Sequence, residues 1–233
     1  MIEIDINFDF RKDSVCGDPD ADSPKLYQYH TVLWSKPLPN GSAFNLKSVL
    51  IGGNFGRFLL QNNLYDNLSS DRMCPHFVGK YNKDFEGWIS EDEKEEFKHI
   101  VRTIGGHIVF PAHKKNGFTI NQARGVNRKI CDRFDLTLEC IRLFYLNKQS
   151  PLFDAIVRYE DFFKLFECFE HYVNFFLLQD FVDEDYNVKF CLPCKNFERP
   201  PLPQNIDEYI AYRTLTIEQI KKRNNRILSS QFI

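Results

Sequence analysis

The stretch TINQARGVNRKICDRFDLTLECIRLFY, residues 119–145, combines a charged stripe with the apolar spacing of an amphipathic helix. At about 100° per residue, five charged side chains fall within an arc of roughly 80°, namely Arg128, Asp132, Asp135, Glu139 and Arg142. The opposite side carries the apolar anchors Ile130, Phe134, Leu138, Ile141 and Tyr145. We therefore predict one long helix here, with semi-buried charges that must be paired or used.

A second stretch, LFDAIVRYEDFFKLFECFEHYVNFFLLQDFV (residues 152–182), carries much of the aromatic content of the chain, which has 23 Phe against 2 Met and 2 Trp. Its large apolar residues follow i, i+3, i+4 spacing: Phe162, Phe163, Phe166, Phe169, Val173, Phe176 and Leu177. Because Phe buries a large area, we predict a second long helix that forms the main core, rather than a cofactor pocket.

The N-terminal half shows shorter patterns. Residues 2–10 (IEIDINFDF) alternate apolar and acidic positions, and residues 107–113 (HIVFPAH) form a short apolar run. Both patterns predict short strands. Ser90 opens a helix with an S-x-x-E capping box, and similar boxes at Asn205 and Thr216 predict two closing helices.

Length and composition favour one folded unit. The chain has 233 residues, of which 43% are hydrophobic and 27% charged, which is ordinary for a globular domain. We therefore predict an α+β fold in a single domain spanning residues 1–233. It would have a mixed N-terminal half with short strands and a helical C-terminal half built on two long helices.

Charge and segment patterns limit the function classes. The formal net charge of −2 argues against coating nucleic acid by bulk charge, although a local basic patch remains compatible. The first residues lack the basic-then-apolar order of a signal peptide, and no apolar run approaches the roughly 20 residues of a membrane span. The seven Cys at irregular spacing indicate reduced thiols. We expect a cytoplasmic protein with no membrane partner.

The charged stripe is the leading candidate site. Arginine forks bind phosphate or carboxylate groups, and neighbouring carboxylates can orient them or act as a base. On this interpretation the ligand-binding residues are Arg124, Arg128 and Arg142, and the catalytic residues are Asp132, Asp135 and Glu139. The alternative is an internal ion network, since Arg128 with Asp132 and Glu139 with Arg142 have the spacing of pairs within one helix.

The loop GDPDADSP presents alternate carboxylates at Asp18, Asp20 and Asp22, with Asp13 nearby. Such carboxylates can converge on Ca²⁺ or Mg²⁺. The Gly and the distal Glu that complete an EF-hand loop are missing. A solvated acidic turn is therefore favoured, and we predict no metal site.

The remaining polar motifs are isolated. Cys191 and Cys194 form a C-x-x-C, but no second pair completes a zinc site. Four histidines without recognisable partners could each act as a base: His30, His76, His107 and His113. The string Ser69-Ser70-Asp71 favours a cap or turn. Since Walker and Rossmann glycine patterns are also absent, the sequence assigns no cofactor.

Residues 221–226 (KKRNNR) form the most basic run of the chain. With Lys114, Lys115 and Lys129 they could form a phosphate-binding face, and Lys222 with Arg226 could contact a protein partner. Apolar residues at helical spacing on the same segment favour a simpler interpretation, in which these charges are the solvated face of an ordinary helix.

Several strings resemble a family of uncharacterised bacterial proteins of unknown function. They are YHTVLWSKPLPNG, TINQARG, RFDLTLECIRLFY and YEDFFKLFECFEHYVNFFLLQDFV. The resemblance spans most of the chain and implies a bacterial, intracellular protein of one domain. It implies no activity, cofactor or catalytic residue.

A second resemblance is to ADP-ribosyltransferases, which arrange an early His or Arg, a Ser-rich strand and a late Glu around NAD. Here His30, then Ser69 with Ser70, then Glu198 or Glu208 occur in that order. The resemblance implies an NAD-dependent transferase, although the patterns that flank these residues in that family are missing.

The leading functional hypothesis is therefore binding or processing of a phosphate-bearing ligand, a nucleotide or a nucleic acid, through the Arg and carboxylate stripe. The first alternative is a non-enzymatic interaction protein with a protein partner, such as a toxin or phage-defence component. The second alternative is an enzyme of the ADP-ribosyltransferase type.

Overall fold

The computed structural model describes residues 2–51, 54–60, 67–74, 87–112 and 116–230, and within these ranges the side chains of 49–51, 54–57 and 59 are left aside. Four residues named above lie outside the described residues: His76, His113, Lys114 and Lys115.

The described chain has an α+β fold with a helical C-terminal half, as predicted. The helices are α1 (Pro19–Asp22), α2 (Pro24–Trp34), α3 (Glu91–Ile100), α4 (Ile120–Val126), α5 (Phe134–Tyr145), α6 (Phe153–Val157), α7 (Glu160–Lys164), α8 (Phe169–Phe175) and α9 (Ile206–Ser230). The strands are β1 (Lys36–Pro37), β2 (Ala43–Phe44), β3 (Leu46–Ile51), β4 (Asn54–Leu60), β5 (Leu68–Arg72) and β6 (His107–Pro111). Among these helices, none is both long enough and apolar enough to cross a membrane.

The larger sheet is antiparallel with the order β3-β4-β5-β6. Strands β5 and β6 pair from Leu68 opposite Pro111 to Arg72 opposite His107. The whole of β6 is buried, which explains its continuous apolar sequence. This register places the carboxyl end of β5 beside the amino end of β6, where the polar residues described below converge.

Aromatic rings from α7, α8 and their connections pack against α2 and β2 to form the centre of the core. Phe166 lies 5.0 Å from Phe175 and 5.2 Å from Phe176, between ring centroids. Trp34 contacts Phe176 at 5.3 Å, and Phe44 contacts Phe175 at 5.1 Å. Contacts of this kind add about 0.5–1.5 kcal/mol per pair beyond area burial. The aromatic series is therefore core, as predicted.

The first predicted long helix is interrupted. The chain leaves the helix between α4 and α5 over residues 127–133, called the connecting segment below, where Cys131 and Asp132 have positive φ values of 47° and 60°. The Asn127 side chain stabilises this break, because it donates to Pro151 O (2.9 Å) and accepts from Lys129 N (2.9 Å). A single charged stripe on one helical face is therefore not formed, and that part of the prediction is wrong.

The second predicted long helix is divided into α6, α7 and α8. Glu167 and Leu177, which follow α7 and α8, both have positive φ. The short helices direct the rings of Phe166, Phe175 and Phe176 into one core.

Three local predictions have mixed outcomes. The Ser90 capping box is present, with Glu93 N donating to Ser90 Oγ and Ser90 N donating to Glu93 Oε2. Residues 2–10 form no strand, since the chain turns and enters a short 3₁₀ helix at Phe10. The two closing helices are one helix, α9, in which Thr216 is buried.

Arg223 ties α9 to the sheet and to the aromatic core. Its guanidinium is wholly buried and donates to the carbonyl oxygens of Gly105 (2.9 Å), His107 (2.8 Å) and Phe176 (2.9 Å). Burial lowers the pKa of Arg223 to about 9, so the side chain keeps its charge at neutral pH. The adjacent Asn224 accepts from Gly105 N at 2.7 Å. A Cβ added to Gly105 would lie 2.5 Å from Asn224 Oδ1, so this position requires glycine.

We predict that Arg223→Ala lowers the free energy of unfolding by about 3 kcal/mol or more, since it leaves three buried carbonyl groups without their donor. Urea denaturation followed by circular dichroism measures this loss. The control is Lys221→Ala on the same helix, whose exposed side chain pairs with Glu96 and whose removal should change stability by about 0.5 kcal/mol or less. Similar losses for the two variants would contradict the anchoring role of Arg223.

Candidate functional site

A strongly polar pocket of about 210 Å³ lies where β5, α1, α4 and the connecting segment meet. We call it the polar pocket, and its lining residues are Asp18, Asp20, Asp71, Arg72, Arg102, Asn121 and Asp132. Six of the seven are ionisable, so the pocket concentrates charge to a degree that is typical of functional sites.

The acidic loop supplies two carboxylates to this pocket and uses two others for its own fold. Asp22 accepts from Ser14 Oγ (2.5 Å) and from two backbone N–H groups, and Asp13 accepts from Ser23 Oγ (2.6 Å). These bonds fix the loop around α1, so that Asp18 and Asp20 face the polar pocket. The favoured interpretation of a solvated turn therefore fits the exposed Asp18 but not Asp22, which is buried within the loop. Within the described residues, no group of three His, Cys, Asp or Glu side chains could hold a metal ion.

A hydrogen-bonded chain runs from the core to Asp20. Trp34 Nε1 donates to His30 Nδ1 (2.8 Å), so neutral His30 carries its proton on Nε2, which lies 3.1 Å from Ser70 Oγ. Ser70 Oγ in turn donates to Asp20 Oδ1 at 2.6 Å. Burial lowers the pKa of His30 well below its ordinary value, and the imidazole is therefore neutral. The chain supplies Asp20 with a directed hydrogen-bond donor, the Ser70 hydroxyl.

His107 approaches Asp20 from β6. Its Nδ1 donates to Thr103 O at 3.0 Å, and Nε2 lies 3.8 Å from Asp20 Oδ1. The side chain is wholly buried, and Nε2 has no hydrogen-bond partner among the described residues. Burial lowers the pKa of His107, although Asp20 opposes the shift. An imidazole nitrogen without a partner beside a carboxylate is an arrangement that protein interiors seldom tolerate without a role.

Arg124 lies buried behind the residues that line the polar pocket and bonds to two of them, Asp71 and Asp132. Its buried guanidinium pairs with Asp71 and also donates to the carbonyl oxygens of Met73 (2.9 Å) and Asp132 (2.9 Å). Its Nε donates to Thr137 Oγ1 at 2.9 Å. Burial raises the pKa of Asp71 to about 7 despite the attraction of Arg124. All three guanidinium nitrogens donate within the protein and the side chain is wholly buried, so Arg124 positions pocket residues rather than contacting a ligand.

Arg72 and Arg102 differ from Arg124 in this respect. Both are half-buried and line the polar pocket. Neither guanidinium forms an ion pair or a side-chain hydrogen bond with any residue that the structure describes. Burial, together with the positive charge of Arg72, lowers the pKa of Arg102. Two arginines held partly out of water without a bound partner are available to a ligand anion.

The other residues predicted for the stripe separate in the structure. Asp135 is buried and forms an ion pair with Arg133. The sequence did not indicate this pair. Glu139 and Arg142 pair with each other at 2.8 Å near the surface. Arg128 lies exposed on the connecting segment. Of the six predicted site residues, only Asp132 lines the polar pocket, and Arg124 supports it from behind. The functional roles of the other four stay predictions.

The residues of the ADP-ribosyltransferase resemblance are partly brought together. His30 and Ser70 are hydrogen bonded, but His30 lies on α2 rather than on a strand. Glu208 accepts from Arg199 and from Gln204 N at the start of α9. Neither Glu198 nor Glu208 lines the polar pocket.

The basic run on α9 is largely neutralised. Lys222 pairs with Glu218 at 2.5 Å, and Arg226 pairs with Asp180 at 2.9 Å, while Arg223 is buried. Cys191 and Cys194 are buried free thiols. Both motifs therefore have structural explanations.

Sequence reasoning missed Asp71, Arg72, Arg102 and Asn121. The signal for the first two was the polar string SSDR (residues 69–72) between the apolar residues Leu68 and Met73, which was interpreted as a turn but forms the buried strand β5. For Arg102 and Asn121 the sequence holds no local signal, because each becomes part of the site only through the packing of distant segments.

The arrangement is suited to acid–base chemistry beside a bound anion. Arg72 and Arg102 offer positive charge, and Asp71 titrates near neutral pH because burial raises its pKa to about 7. Burial and the nearby charge of Asp20 also raise the pKa of Asp18. Carboxyl groups with raised pKa values can donate or accept protons under physiological conditions.

These features define an α+β protein with one charge-rich pocket at the edge of its larger sheet. Residues 4–227 match the model of the family of unknown function (DUF6994), and the chain belongs to this family. The resemblance seen in the sequence is thereby confirmed as a family relationship. No curated protein and no solved structure matches the chain.

We predict that Arg124→Met lowers the free energy of unfolding by about 3–5 kcal/mol, since it leaves Asp71 buried without its partner. The matched variant Arg142→Ala removes an arginine that is 24% exposed and leaves Glu139, at 11% exposure, within reach of water, so it should cost less, about 1–2 kcal/mol. Urea denaturation at about pH 8, where Asp71 is mostly ionised, separates the two cases. A loss for Arg142→Ala equal to that for Arg124→Met would show that the Glu139 pair is as important as the buried one.

Proposed function

We propose that this protein binds and processes a small phosphate-bearing ligand in the polar pocket. Arg72 and Arg102 would hold the phosphate, and Asp71 or Asp18, whose pKa values are raised, would accept or donate a proton. The observation that carries the proposal is the pair of half-buried arginines without described partners inside a pocket of titrating carboxyl groups. The ligand class agrees with the hypothesis drawn from the sequence, but different arginines bind it.

The charge balance of the polar pocket supports a ligand that has hydrogen-bond donors as well as a phosphate. Four Asp side chains would repel a bare anion, whereas ligand hydroxyl or amino groups can donate to them. Protonation of Asp71 or Asp18 would reduce this repulsion further, since both have raised pKa values. A sugar phosphate or the phosphate-bearing end of a nucleotide has this combination of groups.

The size of the pocket narrows the ligand class. A volume of about 210 Å³ is below the roughly 300–1,000 Å³ of pockets that enclose drug-sized ligands. A complete dinucleotide such as NAD would extend far outside it. This comparison favours a small phosphate compound over the substrate of an ADP-ribosyltransferase.

The interaction-protein alternative has less support from the contacts on α9. Its proposed surface residues, Lys222 and Arg226, are paired with Glu218 and Asp180. A partner would have to compete with these internal pairs. The alternative would regain support if no small ligand stabilised the protein.

The test is thermal unfolding in the presence of inorganic phosphate, sugar phosphates and nucleotides. A ligand at one hundred times its dissociation constant should add about 2.7 kcal/mol of stability. We predict that Arg72→Ala with Arg102→Ala abolishes the shift given by the best ligand, because it removes both pocket cations. The double variant must first show the circular dichroism of the folded protein.

Lys148→Ala is the control for this experiment, because it removes an exposed positive charge outside the polar pocket. It should leave the ligand shift unchanged. If the double variant responds to the ligand as the original protein does, the polar pocket is not the binding site.

The pH dependence of anion binding gives a further prediction, with sulfate as a probe whose charge is constant in this range. Burial raises the pKa of the Asp71 carboxyl group to about 7, and desolvation together with the charge of Asp20 raises the pKa of the more exposed Asp18. As the pH falls from about 8 to about 6, Asp71 gains a proton and negative charge leaves the pocket. Sulfate should therefore bind more tightly at the lower pH, which isothermal titration calorimetry would measure. Affinity that is unchanged or weaker at low pH would contradict the assignment.

A further inference from the structure

A second pocket, of about 560 Å³, opens at the other end of the connecting segment. We call it the basic pocket, and its lining residues are Asn127, Arg128, Lys129, Gln149, Ser150, Pro151, Asn196 and Phe197. Three separate parts of the chain form it: the connecting segment, the loop before α6, and the short 3₁₀ turn Lys195–Phe197. It shares no lining residue with the polar pocket.

The charged side chains that line the basic pocket are all positive. Arg128 and Lys129 are both exposed, and neither side chain pairs with a carboxylate in the described part of the chain. Its lining includes no Asp or Glu. Adjacent cations without counter-charges attract an anion, and an arginine fork fits phosphate geometry in particular.

Some polar side chains that line the basic pocket are hydrogen bonded to other protein groups, and others are not. The Asn127 amide joins two walls, since it donates to Pro151 O and accepts from Lys129 N. The amides of Gln149 and Asn196 are exposed and have no hydrogen bond to any described residue. Each amide offers both a donor and an acceptor, and this combination is complementary to the edge of a nucleobase.

The wall that carries Asn196 has an unusual backbone. Lys195, Asn196 and Phe197 have consecutive positive φ values of 46°, 54° and 62°. The turn is held by Phe197 N, which donates to Cys194 O at 3.0 Å, and by the buried ring of Phe197. Left-handed conformations of residues other than glycine persist only where surrounding contacts enforce them, and they are common at ligand-binding positions. Here the enforced turn presents the Asn196 amide to the pocket.

We propose that the basic pocket binds a mononucleotide, with its phosphate on Arg128 and Lys129 and its base edge on Gln149 and Asn196. The volume lies within the roughly 300–1,000 Å³ of small-molecule sites. This site is additional to the polar pocket and does not depend on the function proposed there. It retains Arg128 as a ligand-binding residue, as the sequence predicted, but with new partners.

The test is equilibrium binding of adenosine and guanosine 5′-monophosphates, compared with inorganic phosphate and with the unphosphorylated nucleosides. The nucleotides should bind more tightly than either part alone, because phosphate and base edge contribute together. Arg128→Ala with Lys129→Ala should weaken nucleotide binding at least about tenfold. Gln149→Ala with Asn196→Ala should reduce the preference for a nucleotide over inorganic phosphate.

Two controls separate this site from bulk charge and from the polar pocket. Lys12→Ala with Lys148→Ala removes two exposed positive charges outside both pockets and should leave nucleotide affinity unchanged. Arg72→Ala with Arg102→Ala changes only the polar pocket, and in this background Arg128→Ala with Lys129→Ala should still weaken nucleotide binding by the same factor. Nucleotide binding that is absent, or that is unaffected by Arg128→Ala with Lys129→Ala, would overturn the proposal. Equal affinity for inorganic phosphate and nucleotide would overturn the assignment of the ligand class.

Discussion

The buried Arg124 guanidinium is the interaction on which the central architecture depends. It joins the carboxylate of Asp71 on β5, the carbonyl oxygens of Met73 and Asp132, and the hydroxyl of Thr137 on α5. By holding the carbonyl of Asp132 it stabilises the left-handed turn that ends the connecting segment. Because the cost of burying one charge is offset only by this complete set of partners, the sheet, the turn and α5 are fixed relative to one another at the polar pocket.

The local features of the fold could be predicted because their causes are local. The capping box at Ser90 uses groups three residues apart, and the apolar spacing of residues 134–145 reports one helical face. The break before α5 has a different origin. It depends on bonds from Asn127 to Pro151 and from Arg124 to Asp132, which no periodic pattern encodes. The assumption of one continuous helix therefore placed the five charged residues of the stripe on a single face. In the folded chain these residues lie apart.

The same reasoning explains what was and was not predicted of the candidate site. Arg124 and Asp132 were identified because they are close in sequence and charged. Asp71 and Arg102 lie 53 and 22 residues before Arg124 in the sequence, and only the pairing of β5 with β6 and the packing of α4 bring them together. The sequence predicted a site of arginines and carboxylates in this region, and Arg124 and Asp132 do lie at the polar pocket. It could not separate the arginine that supports the pocket from those available to a ligand, because that difference lies in partners distant in sequence.

The anchoring of α9 has a consequence for the order in which the chain can fold during synthesis. Arg223 and Asn224 bond to residues 103, 105 and 107, more than one hundred positions earlier. Contacts of such long sequence separation form late, since a large loop must close first. His107, which lies beside Asp20, is on the strand that these bonds hold in place. Its position beside Asp20 therefore becomes final only after α9 has left the ribosome. The candidate site would therefore be completed only after α9 has been translated.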